Sequence, residues 1–234
     1  MNNELKNNGF SLTEVLLAVG TFAIGMIFVA GVFPVAIRFT TIATERTIAA
    51  VVTDEAFAKI RLYGVDFNSP LWPTPPPTAC VDFNDVSSVP LNRDEFAYPS
   101  TPTDPANKQY FWSALCRLDP NDPTGRSVQV TVFVSRKTGS GPIPVPRQVG
   151  VSGTFGSDVL QIIGEKTFIN DGYTIVDDRT GDIYRVLERY RGDEDNIIEL
   201  DKDWQGGDLV WVVPPPATGG RYPCIAIYQK VIRF

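Results

Sequence analysis

"GFSLTEVLLAVGTFAIGMIFVAGVFPVAIR", Gly9 to Arg38, is the stretch that decides how this chain is read. Inside it, Val15 to Ile37 is a run of 23 residues without a charge. As a helix such a run spans about 34 Å, enough for the hydrocarbon core of a bilayer. The sequence therefore predicts a single membrane-spanning segment over about residues 15–37. A secretory signal would have a shorter apolar stretch followed by a small-residue cleavage site, whereas this run passes directly into further helix-compatible sequence. The flanking charges are nearly balanced, Glu4 and Lys6 on one side and Arg38, Glu45 and Arg46 on the other, so they do not orient the span. Glu14 is the anomaly, because an ionised carboxylate carried into lipid costs about 2–3 kcal/mol. At the first turn of a helix it also meets a favourable dipole, worth up to about 1 kcal/mol.

Gly20, Gly25, Gly31 and Pro34 punctuate the run. Pro34 removes one helix hydrogen bond and, with Gly31, marks a place where the helix can bend or stretch. The same small residues equally permit close packing of neighbouring helices. Beyond the span, Ile42, Ala49, Val52, Ala56, Ile60 and Tyr63 fall within about an 80° sector at helical periodicity, the stripe of an amphipathic helix. The helix is expected to continue to Tyr63 and to stop at Gly64.

From Pro70 to Pro105 nine of the chain's 19 prolines accumulate, a composition that argues against helix and central strand and predicts a long extended surface loop. Periodicity two then takes over. In "SVQVTVFVSR" Val128, Val130, Val132 and Val134 share one face, as in a half-buried antiparallel strand, and "QYFWSALCRL", Gln109 to Leu118, is its expected partner. A helix with one apolar stripe and a sheet with one apolar face bury each other, so the strand 128–134 is expected to dock on 42–60. Further strands are read at 159–164, 173–176, 183–190, 197–200, 209–213 and 225–234, with turn-forming residues between them. Their spacing predicts a small barrel or sandwich, either separate from the first sheet or continuous with it. The fold class is thus α+β: a long N-terminal helix on an antiparallel sheet, with a β-rich C-terminal region. The divisions read are 1–9, 10–63, 64–150 and 151–234.

Composition closes many functions. The chain has no histidine, which removes Ser-His-Asp and Cys-His catalysis and His-ligated zinc. Its net charge of −6 and lack of basic runs argue against nucleic acid as a partner. A membrane-tethered hydrolase would have to rely on carboxylate pairs such as Glu188 and Asp203, whose spacing carries no signal. Cys80, Cys116 and Cys224 are far apart and form no metal or redox motif. Two readings stand: a disulfide between Cys80 and Cys116 in an oxidising compartment, or three buried thiols. No cofactor is expected. Calcium is conceivable only at the acidic turns of Asp177, Asp178 and Asp182, or of Asp193, Glu194, Asp195 and Asp201, neither with EF-hand spacing. Trp72, Trp112, Trp204 and Trp211 are read as core.

Gly9, Phe10, Ser11, Leu12, Thr13 and Glu14, in that order and ahead of a long uncharged helix, resemble the N-terminal signature of type IV pilins and type II secretion pseudopilins. The resemblance covers about 55 residues. It implies a short cytoplasmic leader, Met1 to Gly9, cut by a prepilin peptidase between Gly9 and Phe10, with methylation of the new Phe10 amine. It also implies a bacterial inner-membrane location, with the C-terminal head periplasmic or extracellular. Partners would be other pilin-like subunits and an inner-membrane assembly platform. Glu14 would then pair with the terminal amine of a neighbouring subunit, recovering much of the desolvation penalty of both charges. Pro34 falls later than the helix proline of major pilins, so no melted segment is carried over. The functional expectation is a minor pilin or pseudopilin of a short filament. The alternative is a pilus-tip subunit that binds a surface or DNA through the β-rich region.

Overall fold

The computed structural model describes residues 11–72, 79–101, 107–122, 124–138, 142–190, 196–216 and 221–234. It contains two compact units, Met1–Glu45 and Arg46–Phe234. One helix, α1 (Leu12–Tyr63), supplies the first unit up to Glu45 and contributes its remaining turns to the second. It ends where expected: Gly64 adopts φ +71°, the left-handed region open to glycine, and its N–H donates to the Ile60 carbonyl at 3.0 Å.

In the second unit the chain first forms β1 (Val81–Asp82), α2 (Phe83–Val86), β2 (Ala97–Tyr98), β3 (Tyr110–Leu118) and β4 (Ser127–Arg136). Six further strands follow: β5 (Arg147–Gly153), β6 (Val159–Ile163), β7 (Thr174–Asp177), β8 (Ile183–Arg189), β9 (Ile197–Leu200) and β10 (Leu209–Val212). The last strand is β11 (Cys224–Arg233). β3 and β4 form an antiparallel hairpin from Tyr110 opposite Arg136 to Leu118 opposite Val128. β11 returns to the free edge of β4, setting Ile232 opposite Val128. The outer edge of β3 carries two short strands, β1 against Leu115 and Cys116, and β2 against Tyr110 and Phe111. Strands β5 to β10 close into a six-stranded antiparallel barrel in the order β10-β5-β6-β9-β8-β7. The barrel is therefore inserted between two neighbouring strands of the sheet.

The pleat assigns the two faces of that sheet. Trp112, Ala114 and Cys116 of β3 join Val128, Val130, Val132 and Val134 of β4 on one side, packed with Ala49, Val52, Ala56 and Ile60 of α1. Each fully buried Val or Ile there contributes about 1.5–3 kcal/mol relative to exposure. The predicted docking of helix on sheet is the observed one. The alternate residues were expected to face solvent, but Leu115 and Phe133 are buried against Val176 and Val213 of the barrel side. β4 is thus covered on both faces, because the inserted barrel takes the place of water. The barrel itself is filled by side chains, among them Leu160, Tyr184, Ile198 and Trp204.

Two further expectations change. The division at 150/151 passes through β5; the strand read at 225–234 continues the helix-packed sheet, one of the two arrangements left open. The described parts of Pro70–Pro105 are not a loop lying on the surface: they build β1, α2 and β2 and bury Trp72, Phe83, Val86 and Ala97. The described prolines of this region, Pro70, Pro90 and Pro99, lie outside these pieces. α2 starts at a proper cap, the Asp82 carboxylate accepting the Asn84 N–H at 2.9 Å.

Candidate functional site

The start of α1 is a reciprocal cap. The Glu14 N–H donates to Ser11 Oγ at 3.2 Å, and the Ser11 N–H donates back to Glu14 Oε2 at 3.1 Å. With Ser11 as N-cap and Glu14 three residues on, this is the capping box that Ser-x-x-Glu encodes, and it answers two of the donors that a helix start leaves unpaired. It also sets a carboxylate at the positive end of the helix dipole. Gly9 and Phe10, the residues of the expected processing site, lie outside the described residues, so the cap is the nearest described structure to that bond.

After this cap the helix is apolar on every side. All residues from Ser11 to Thr41 are exposed within the chain, Leu17 and Ile27 to 72% each and Phe28 to 70%. It is the one helix among the described residues long and apolar enough to cross a membrane. Its hydroxyls are silenced locally: Thr21 donates to Leu17 and Ala18 carbonyls, Thr40 to Ala36, Thr41 to Ile37 and Thr44 to Thr40, all at 2.9–3.0 Å. Polar groups satisfied inside the helix are the condition for residence in hydrocarbon, where no water completes them. The helix continues through Gly31 and Pro34 without interruption. A Cβ built on Gly20, Gly25 or Gly31 would meet no atom of this chain, so nothing in the subunit itself demands glycine there.

The second-unit part of α1 is clamped by polar contacts as well as by its core stripe. Lys59 Nζ donates to the Glu95 carbonyl at 2.7 Å and lies 3.4 Å from the carboxylates of Glu55 and Glu95. The Tyr63 hydroxyl donates to Glu95 Oε2 at 2.6 Å. Burial and the neighbouring Glu95 push the Tyr63 phenol up to about 12, while that hydrogen bond and Lys59 hold the Glu95 carboxyl below its usual range. These contacts fix the segment after α2 onto the helix.

The acidic turn offered for calcium has a structural occupation. Asp177 is fully buried, its Oδ2 accepting the Thr180 N–H at 2.7 Å and the Thr180 hydroxyl at 2.5 Å, its Oδ1 accepting the Gly207 N–H at 3.0 Å. Asp178 Oδ1 accepts the Trp211 Nε1–H at 2.6 Å and the Gln148 amide at 3.3 Å. The turn then docks on the sheet: Cys80 N–H donates to the Asp178 carbonyl, Arg117 to that of Arg179 and Gln229 to that of Gly181. What reads as a solvated hairpin turn is the joint between barrel and sheet. Asp201 accepts the Arg185 N–H at 2.9 Å, and Asp193, Glu194 and Asp195 lie outside the described residues. Among the described residues no cluster of three potential metal ligands occurs.

Of the two readings left open for the cysteines, the structure has the three buried thiols and not the Cys80–Cys116 disulfide. All three are free and buried. Val81 is the residue opposite Cys116, so the pleat turns Cys80, one position earlier, to the other face. Cys116 lies in the helix-side core and Cys80 in the barrel-side core. The sheet stands between the two sulfurs of the expected disulfide. Of the tryptophans, Trp72, Trp112 and Trp204 are buried as expected and Trp211 is half-buried.

No family model, curated protein or solved structure matches this chain.

Proposed function

We propose that this chain is a pilin-like structural subunit, a pseudopilin or minor pilin, that is processed by a prepilin peptidase after Gly9 and assembles through its N-terminal helix at the bacterial inner membrane. The observation that carries the reading is the sequence Gly9-Phe10-Ser11-Leu12-Thr13-Glu14 placed directly on a helix that is apolar all round and polar-satisfied within itself. A simple anchor needs the apolar turns alone. An acid at the head of those turns is favoured when a cation meets it in the assembled state, and a Phe10 amine freed by cleavage on a neighbouring subunit supplies one. The helix-on-sheet arrangement of the second unit supports the same reading, since the last turns of α1 pack on an antiparallel sheet. Type II secretion and type IV pilus machines are the systems that use such subunits, with other pilin-like chains and an inner-membrane platform as partners. The role is one of assembly, with no cofactor and no catalysis.

Mass spectrometry of the chain recovered from membranes tests this. A mature chain beginning at N-methylated Phe10 is expected. An intact Met1, or a cut beyond Ile37, would overturn the reading.

A further inference from the structure

The outer edge of β3 is interrupted. β1 covers Leu115 and Cys116 and β2 covers Tyr110 and Phe111, while among the described residues no strand lies across from Trp112 to Ala114. A pocket of about 510 Å³ opens at this gap, closed on its far side by Ile143 and Val145 of the connector that leads from β4 to the barrel. That volume is in the range of small-ligand sites. Trp112 and Phe96, whose rings stand 4.8 Å apart, give it an aromatic wall. Two arginines, Arg93 and Arg147, come to the same pocket from separate segments, and among the described residues neither has an ion pair or a side-chain hydrogen bond. In a chain of net charge −6 this is a local excess of cations. The one acid in the lining, Asp82, spends Oδ1 on the α2 cap. Burial also pushes its carboxyl up. Ser113, turned by the pleat to the face opposite Trp112, also lines the pocket, and among the described residues its buried hydroxyl has no partner.

We infer that this pocket binds a carboxylate attached to an apolar body, the acid held by Arg93 and Arg147 and the body laid against Trp112 and Phe96. Planar guanidinium forks pair bidentately with a carboxylate, and an aromatic wall favours an apolar remainder. Two sources share this chemistry: a free aryl- or alkyl-carboxylic acid, and the C-terminal end of a polypeptide, whose backbone would also find the uncovered edge of β3. The inference stands on the second unit alone and does not depend on the assembly role of α1.

The test is a titration of the full chain in non-ionic detergent, followed by the intrinsic fluorescence of its tryptophans. The probes are 4-phenylbutyrate with 4-phenylbutanol as its neutral counterpart, and acetyl-Gly-Val-Phe as the free acid and as the C-terminal amide. The wild type and an Arg93→Gln, Arg147→Gln double variant are compared. At least one acid is expected to bind about tenfold or more tightly than its neutral counterpart, and the double variant to lose that preference. Both arginines are exposed, so the variant is expected to keep the wild-type unfolding midpoint. Signal that survives in the variant is partition into the micelle. Binding by the tripeptide acid alone identifies a chain end, and equal binding by phenylbutyrate identifies a free acid. If neither acid is preferred over its neutral counterpart, or if the double variant retains the preference, the inference is wrong.

Discussion

Gly206→Ala isolates the joint between barrel and sheet. A Cβ at Gly206 would stand 2.3 Å from Asp177 Cγ and 2.4 and 2.6 Å from its two carboxylate oxygens, distances no side chain accommodates. Asp177 is fully buried, so its carboxylate has no room to yield without giving up its bonds to Thr180 and Gly207. Hydrogen bonds to a charged group contribute about 1.5–3 kcal/mol each, and a displaced carboxylate regains part of that from water, so a net loss of about 3 kcal/mol is expected. For a unit of this size each kcal/mol moves the melting temperature by about 2–4 °C, giving a fall of about 6–12 °C. All four tryptophans lie in the second unit, so guanidinium unfolding of the full chain in detergent, read by fluorescence, reports on that unit. The cycle with Asp177→Ala is the sharper measurement. Once the carboxylate is gone the added methyl has little to strike, and the double variant should be no less stable than Asp177→Ala within about 0.5 kcal/mol. A Gly206→Ala protein within 0.5 kcal/mol of wild type, by the usual noise of such additivity tests, or two losses that simply add, would refute the argument.

Glu14→Gln keeps a capping-box acceptor but removes the charge, whereas Glu14→Ala removes both. Filament incorporation, measured by crosslinking in membranes, is expected to fall in both, and normal incorporation of the Gln variant would reduce Glu14 to a cap. Asp178 is held above the usual carboxylate range by burial, opposed by its bonds from Trp211 and Gln148. The stability of its protonated form is complete below the unfolded value near 3.9 and is lost as pH rises through the higher folded value, so Asp178→Asn should gain on wild type at pH 7 and lose that gain near pH 3.5. Denaturant midpoints at the two pH values decide it, and a gain that does not depend on pH would contradict the assignment. Burial pushes the Cys80 and Cys224 thiols up to about 12 and raises Cys116 as well, so maleimide should label none in the native head and all three after unfolding without reductant. Only one labelled thiol after such unfolding would reveal a disulfide.

The elements that were legible in the sequence are those whose pattern is long. The stripe from Ala49 to Ile60 and the alternation from Val128 to Val134 each repeat often enough to name both the element and its buried face, and the structure buries those residues together. β5 escaped because "RQVGVSG" offers only Val149 and Val151, separated by Gly150 and followed by Ser152 and Gly153, too little for a period to register. β1, β2 and α2 are two to four residues long and owe their existence to the edge of β3 and to buried Phe83 and Val86, not to local preference. The pairing of β11 with β4 is a contact between distant segments, and alternation states that a residue faces a core without stating which core. The turn at Asp177 to Asp182 has the composition of a solvated loop. Its burial follows from the barrel lying against the sheet, which no local signal carries. At the N-terminus Ser11 and Glu14 were legible as a motif, while the reciprocity of their bonds needed coordinates. The arginines at the β3 gap come from segments that share no motif, and only the fold brings them to one pocket.

The placement of β11 has a consequence for how the head is made. Val128 and Ile232 must meet across roughly 100 residues of intervening chain, a closure whose entropy cost falls if that chain has already condensed. A barrel that folds first gathers both its ends and presents the returning strand to its place, so maturation of the head becomes a race in which the insert must finish before the host. Until β11 arrives, the β3–β4 hairpin stands with the outer edge of β4 bare. The interval before β11 joins β4 is therefore when the second unit is most exposed to proteases and most in need of a chaperone's cover.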